Sequence, residues 1–286
     1  MRDIFLKSYA KVNLFLKVGK KIKNKKLHNI QSIIFLINLN DEITIKKIKS
    51  LKDKFKFTGK FKKSVSKTNN SISKSLLLLR KKRFLENKTN YKITVKKNIP
   101  VFSGLGGGSS NAATIIKFFL KKDQINKKNI NYFVKHLGSD LRLFFKYKKI
   151  YQKNLLVTKN FKSNHTFYFV LIYPFLKSST KQIYLKLKKF DVIKNKTFYS
   201  KKSAKKLIGT LRQEKNSLEK IVISKFPVVK KILYELELIK NCQISRVTGS
   251  GSACFGLFLN KKDATSALRQ IKRKFPKFWC VLCKTI

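Results

Sequence analysis

With 286 residues, 43% of them hydrophobic and 24 of them Phe, the chain carries enough apolar side chain for two lobes and too much for a disordered tail. Its formal charge of +55, from 68 Lys and Arg against 13 Asp and Glu, is spread from end to end, whereas a nucleic-acid module gathers its cations on one face or tail. The excess is nearly all Lys and accompanies abundant Ile, Asn and Phe, the set that AT-rich codons encode, so it predicts weak, salt-sensitive sticking to polyanions and no specific nucleic-acid partner.

In chain order, the first third reads mainly as strands. Tyr9 to Val18 alternates and is rich in apolar residues, Gln31 to Asn38 and Glu42 to Ile48 follow as two further strands, and Tyr91 to Val95 has a clear period of two. The Lys-rich tracts 20–26 and 60–67 read as solvated loops. Ser71 to Phe84 carries a helical pattern centred on Leu76 to Leu79. Beyond the glycine-rich stretch from Ser103 to Ser110, a second helix is expected over Asn111 to Lys121, capped by Ser109, Ser110 or Asn111, and a third over about Asn126 to His136.

The texture changes near residue 160. Phe167 to Tyr173 reads as a buried strand, Thr180 to Leu187 and Ser203 to Leu211 as short helices, and Pro227 as a first-turn residue of a helix ending near Lys240. Strands at 242–247 and 252–259 flank a glycine turn, and helix Lys261 to Lys274 precedes a last strand to Ile286. Strands and helices alternate without the rhythm of a doubly wound sheet, so the fold class is α+β with two lobes.

Lys7 and Lys11 interrupt the amino end, and the apolar run Phe167 to Leu176 falls short of the roughly 20 residues of a bilayer span, so no membrane partner and a cytoplasmic location are expected. Cys242, Cys254, Cys280 and Cys283 suit a reducing compartment. The pair Cys280 and Cys283 stands in an apolar tail without a second pair, and reads as buried thiols on the final strand.

Glycine is scarce, yet four of the 11, Gly104, Gly106, Gly107 and Gly108, fall within five positions, and Gly249 with Gly251 forms a second turn. Glycines between a strand and a helix let successive backbone N–H groups point at an anion, and the helix amino end adds partial positive charge. That pattern predicts a phosphate cradle, with the Ser109 and Ser110 hydroxyls as donors to phosphate oxygens or to magnesium. No Lys follows as a Walker A loop requires, and Ser109 stands where the third glycine of a dinucleotide fingerprint belongs.

The segment Pro100-Val-Phe-Ser-Gly-Leu-Gly-Gly-Gly-Ser-Ser-Asn-Ala-Ala113 resembles the central ATP-binding motif of the GHMP kinases. Ala10-Lys-Val-Asn-Leu-Phe-Leu16 resembles the first motif of that family and Val247-Thr-Gly-Ser-Gly-Ser-Ala253 the third, in the right order. The resemblance implies a two-lobed GHMP kinase fold with its active site in the cleft between lobes, an ATP-binding domain over 1–160 and a carboxyl-terminal domain over 161–286. It also implies ATP as phosphate donor, with magnesium.

By that resemblance Asp140 is the acid-base residue and Lys11 its partner. Phosphoryl transfer needs an acceptor oxygen held in line, a group to take its proton and positive charge near the transferring phosphate, and a carboxylate with a Lys supplies two of the three. ATP is expected on Pro100, Val101, Phe102, Ser103, Gly104, Leu105, Gly106, Gly107, Gly108, Ser109 and Ser110, with Lys97 and Asn70 on the adenosine side; no protein side chain is assigned to the metal. His28 with Gln31, Leu137-Gly-Ser-Asp140, Thr180 to Tyr184 and Ser245-Arg-Val-Thr-Gly249 resemble family members whose small-molecule acceptor is a cytidine diphosphate-linked methylerythritol. That acceptor would lie on Asn13, His28, Thr180, Tyr184, Thr248 and Gly249, with the Tyr ring on the base.

The chain departs from the family in Leu27, where an aromatic is usual before this His, and in Arg142, where a proline is usual after the Asp. Homoserine or a mevalonate-type acid as acceptor, and a non-catalytic basic RNA-binding protein on a related scaffold, are the alternatives.

Overall fold

The structure is a computed structural model that describes residues 3–22, 27–193 and 203–286. Strands β1 (Ile4–Asn13), β2 (Lys17–Lys21), β3 (His28–Ile48) and β4 (Lys54–Thr58) precede helix α1 (Ser71–Lys81), and β5 (Asn90–Lys96) leads to α2 (Gly107–Phe119) and α3 (Lys127–Leu137). A 3-10 turn at Ser139–Phe144 is followed by β6 (Lys149–Gln152), β7 (Thr158–Asn160), β8 (Tyr168–Tyr173) and α4 (Thr180–Leu185). The chain ends with α5 (Ala204–Arg212), α6 (Glu219–Lys225), α7 (Val228–Glu237), β9 (Ile244–Val247), β10 (Cys254–Phe258), α8 (Lys261–Lys274) and β11 (Trp279–Lys284). Two compact units interleave along the sequence: Met1–Ala10, Leu39–Val101 and Gly106–Tyr147 make one, and Lys11–Asn38, Phe102–Leu105 and Lys148–Ile286 the other.

In the first unit β5 pairs antiparallel with β3, Glu42 opposite Lys96, and parallel with β4, Lys54 opposite Lys92. Period-two alternation buries Ile43, Ile45, Ile93 and Val95 and leaves Glu42 and Lys96 outside as an exposed ion pair. Helices α1 and α2 pack together, burying Ile72, Leu76 and Leu79 of one and Ala112, Ile115 and Ile116 of the other. The Arg80 guanidinium bridges to both oxygens of Asp53, at 2.7 and 3.0 Å, and fixes the start of β4 to the end of α1.

In the second unit β8 lies between β10 and β11, and β9 extends the sheet beyond β10, every pairing antiparallel. Val170, Ile172, Cys254 and Phe258 join Val229, Ile232 and Leu236 of α7 and Ala264, Ala267 and Ile271 of α8 in one buried cluster. Phe169 and Phe255, whose register puts them on alternate positions, are buried as well and meet edge to face at 5.8 Å. Burial on both faces explains why Phe167 to Tyr173 reads as a continuous apolar run. Elsewhere in this unit residues 28–35 of β3 pair with β2 and β6.

The α+β class is as expected, and several boundaries move. The strands expected at Gln31 to Asn38 and Glu42 to Ile48 are one strand, because Asp41 between them is buried and satisfied: its carboxylate pairs with the Lys97 ammonium and accepts from the Asn98 and Ile99 amides at 2.8 and 2.9 Å. Helix α2 begins at Gly107, four residues before Asn111, with Gly106 as its cap. Lys20 and Lys21 belong to β2, the tract 60–67 contains a 3-10 turn at Lys62–Ser64, and Pro227 is the cap of α7. Residues 23–26 of the other Lys-rich tract lie outside the described residues.

Cys280 and Cys283 stand three residues apart on β11, where a period of two points them to opposite faces, and only Cys283 is buried as expected, Cys280 being partly exposed. Cys254 is fully buried, and burial pushes the Cys242 thiol up to about 11. No helix among the described residues is long and apolar enough to cross a membrane.

Candidate active site

Lys11 and Asn13 stand two residues apart at the end of β1, so their side chains share a face, and both are buried. The Lys11 ammonium donates to Asn13 Oδ1, while Asn13 Nδ2 donates to Ser32 Oγ at 2.9 Å. Two backbone bonds tie this strand end to distant segments: Lys11 N–H donates to Leu105 O at 3.0 Å, and Asn13 N–H to Thr248 Oγ1 at 3.0 Å. Ala253 N–H donates to Ser103 O at 3.1 Å. Gly104 has a φ of 84°, and a Cβ there would lie 2.1 Å from Thr248 O, so both its conformation and its surroundings demand glycine. A Cβ on Gly249 would sit 3.2 Å from Lys11 Nζ and 3.3 Å from Asn13 Oδ1. The three blocks read from the sequence thus meet, with Lys11, Asn13, Ser103, Gly104, Leu105, Thr248 and Gly249 in one buried junction.

Polar side chains to which sequence reading gave no role hold this junction. Asn216 Nδ2 donates to Val247 O at 2.9 Å and to Gly249 O at 2.7 Å, and its Oδ1 accepts from Leu218 N–H at 3.0 Å. The Arg246 guanidinium donates to the carbonyls of Leu14, Leu211 and Glu214, and Glu219 accepts from Val247 N–H at 2.7 Å. Burial raises the Glu219 carboxyl pKa, against the Val247 N–H and Arg246; burial lowers Arg246, against Glu219 and Glu214. Asn216 lies in a polar stretch, Glu214 to Ser217, whose composition carries no periodic signal.

His28 opens β3 and its Nδ1 lies 3.1 Å from Gly19 O; a carbonyl can only accept, so Nδ1 carries the proton and a neutral ring keeps Nε2 as an acceptor. The ring stacks on Phe190 at 5.2 Å and 21°, and meets Tyr184 at 5.7 Å and 39°. Tyr184 belongs to α4, whose neighbouring Thr180 shares a 2.9 Å hydrogen bond with Ser250 of the third block. Phe190 was not anticipated. Asp191 anchors it, donating its N–H to Val18 O at 2.8 Å and accepting from the Ser217 hydroxyl and from Val18 N–H at 3.3 Å. Leu27 and Phe190 are both more than a third exposed, so an aromatic does stand against His28, from a different segment.

In the first unit Gly106 caps α2 with a φ of 73°, a left-handed conformation that points the following chain into the helix. Ser110 N–H makes the first 2.9 Å bond back to Gly106 O, so the amides of Gly107, Gly108 and Ser109 precede the helical ladder and have no acceptor within the helix. A Cβ on Gly108 would lie 3.9 Å from Ser71 Oγ, which brings the amino ends of α1 and α2 together. Two such ends with their dipoles fit an anion.

Ser109 is partly exposed beside these amides, whereas Ser110 is buried and accepts from the Ser8 hydroxyl at 2.8 Å. The Lys97 ammonium pairs with Asp41 and lies 3.5 Å from a Cβ on Gly107. Asn70 caps α1, its Oδ1 accepting from Ile72 and Ser73 amides at 3.0 Å. Pro100 is buried, Val101 is partly buried, and Phe102 is half-exposed with a φ of 58°.

Asp140 sits in the first turn of the Ser139–Phe144 segment, after Gly138 with its φ of 105° and before the buried Leu141, Leu143 and Phe144. Arg142 fits this 3-10 turn without a proline and donates to Asn131 Oδ1 at 2.8 Å. Among the described residues no group of three or more His, Cys, Asp or Glu could hold a metal ion.

Residues 70–141 match the model of the GHMP kinases N terminal domain, and residues 200–277 that of the GHMP kinases C terminal domain. The 4-diphosphocytidyl-2-C-methyl-D-erythritol kinase of Pelagibacter ubique is 38% identical over 294 residues, covering 100% of both chains. The enzyme of the same name from Wolbachia sp. subsp. Drosophila simulans is 31% identical over 100% of this chain and 99% of its own. Among solved structures, a 4-(cytidine 5'-diphospho)-2C-methyl-D-erythritol kinase superposes with a TM-score of 0.71 at 21% identity, covering 98% of this chain and 99% of that one. Matches over both ends, identity along the whole length and a shared fold agree: the chain belongs to the GHMP kinases, and is a phosphotransferase.

Proposed function

We propose that this chain transfers the terminal phosphate of ATP to the 2-hydroxyl of 4-diphosphocytidyl-2-C-methyl-D-erythritol, a step of non-mevalonate isopentenyl diphosphate synthesis in the cytoplasm. The observation that carries the choice of acceptor is the His28, Tyr184 and Phe190 group of rings, on the same unit as the Lys11 junction. Rings around a histidine with a free acceptor edge suit a base bearing an exocyclic amine; homoserine and mevalonate have no base to place there. The full-length relatives bear the same name.

In this reading Asp140 takes the proton of the acceptor hydroxyl, and Lys11 holds that oxygen and offsets its growing negative charge. Asn13, Thr180, Thr248 and Gly249 bind the acceptor beside the rings. GHMP kinases use ATP as phosphate donor; here Pro100 to Ser110 receives it, with Asn70 and Lys97 behind the adenosine side. The partly exposed Ser109 hydroxyl beside the helix amides would be an oxygen donor to the magnesium that accompanies ATP, an ion that would offset phosphate charge there. As stretches of sequence, the ATP-binding domain is assigned to 1–160 and the second domain to 161–286, a boundary across which the two compact units interleave, with no specific nucleic acid or membrane as partner.

A coupled ADP assay with ATP, magnesium and a panel of acceptors tests the proposal. Turnover is expected with the cytidine diphosphate-linked methylerythritol and not with homoserine or mevalonate. ADP release on either of those alone, or salt-sensitive RNA binding with no turnover of any acceptor, contradicts it.

A further inference from the structure

We infer that Asn216 is a positioning residue for the reaction, acting through Lys11 by holding the Gly249 carbonyl away from the Lys11 ammonium; this rests on the role proposed above for Lys11. The residue is only 4% exposed and its side-chain amide is fully used: both Nδ2 hydrogens go to the carbonyls of Val247 and Gly249, on either side of Thr248, and Oδ1 accepts from Leu218 N–H. Its backbone bridges Leu16, and the flanking bonds from Leu16 N–H to Lys215 O and from Ser217 N–H to Leu16 O, at 3.2 and 2.8 Å, lock the segment to the end of the Lys11 block. Asn216 therefore touches the first and third blocks at once without belonging to either.

The consequence lies at Gly249. Lys11 Nζ is 3.2 Å from where a Cβ of Gly249 would be, so the ammonium lies against this turn. A carbonyl this deeply enclosed must keep a donor, and its present one is Asn216. Remove that donor and the nearby ammonium becomes the alternative, through a rotation of a glycine peptide that no side chain opposes. An ammonium bonded to Gly249 O would be drawn from the oxygen it must hold during transfer, and a displacement of about 1 Å costs on the order of 100-fold in rate. Thr248, whose hydroxyl accepts from Asn13 N–H, would lose its fixed position at the same time.

Asn216→Asp keeps the shape but as a carboxylate cannot donate to two carbonyls; Asn216→Ser is the second variant should the first not fold. Each is compared with wild type in single-turnover phosphoryl transfer to the cytidine acceptor at saturating ATP, normalised to the folded fraction, with separate equilibrium binding of both substrates. The inference predicts a rate at least about 30-fold lower with dissociation constants within about threefold of wild type. A merely structural role would lower the melting temperature and leave the rate per folded molecule within about threefold of wild type, which overturns the inference. Weakened acceptor binding with an unchanged rate overturns it too. If wild type itself transfers no phosphate to this acceptor, the functional reading fails first and takes the inference with it; an active wild type with an equally active variant sinks the inference alone.

Discussion

The junction around Lys11 and the rings around His28 belong to one unit but are held by different forces. At the junction buried hydrogen bonds fix the backbone, from Asn13 to Thr248 and from Asn216 to Gly249, so a lost partner leaves an orphaned polar atom in the interior. Around His28, among the described residues, one hydrogen bond, to Gly19, sets the ring and aromatic rings pack beside it, with Phe190 still 40% exposed to solvent. Buried polar networks fail steeply when broken, whereas ring contacts at a surface fail by degrees. The difference matches the division of labour proposed here: chemistry tolerates little displacement, and recognition of a base tolerates more.

The comparison breaks most sharply at the reacting groups. Lys11→Ala and Asp140→Ala are each expected to slow phosphoryl transfer at least about 1,000-fold while ATP binding changes little, as measured by single-turnover rates and equilibrium titration. Either variant at near wild-type rate removes the assigned chemistry. Next comes Gly104→Ala, which adds a Cβ 2.1 Å from Thr248 O at a φ of 84°. Chemical denaturation should show a loss of about 3 kcal/mol or more, since backbone strain and overlap act together. An alanine tolerated without loss would mean that the junction is looser than its hydrogen bonds imply.

A smaller effect is expected on the recognition side. Phe190→Ala should lower kcat/KM for the cytidine acceptor about tenfold, through KM, with kcat nearly unchanged. Equal falls in kcat and kcat/KM would place Phe190 with the junction and erase the contrast.

The smallest effect is one of pH. Burial raises the folded-state pKa of Glu219 above its ordinary 4.5, so in that window the native state binds more protons than the unfolded chain. Stability from this group therefore falls as pH rises from about 4.5 through the raised value, and Glu219→Gln should flatten that part of a stability profile. A steeper slope in the variant would contradict the direction.

Much of this site is legible in the sequence because its parts are local. Four clustered glycines in a glycine-poor chain mark the amino end of α2, and the blocks at Lys11 and Thr248 carry their own short patterns. The supports are not local. Asn216 lies 33 residues from the carbonyl of Gly249 that it holds, and Phe190 meets His28 from a stretch of Lys and Leu without period, so neither has a neighbour in sequence that explains it. The fold shows the same division. Helix α8 is predicted residue for residue by its amphipathic pattern, whereas the Asp41 that seemed to interrupt β3 is accommodated only through Lys97 and two amides more than fifty residues away. Helix α2 starts early because Gly106 in the left-handed conformation, rather than a serine side chain, begins it.

The most direct test is a crystal structure with the cytidine diphosphate-linked methylerythritol and a non-hydrolysable ATP analogue bound together. The account predicts the 2-hydroxyl within hydrogen-bond reach, about 3 Å, of the Lys11 ammonium and the Asp140 carboxylate, with the base against His28 and Tyr184 and the phosphates on the amides of Gly107 to Ser109. A base bound away from His28, or an acceptor hydroxyl out of reach of both Lys11 and Asp140, would contradict it.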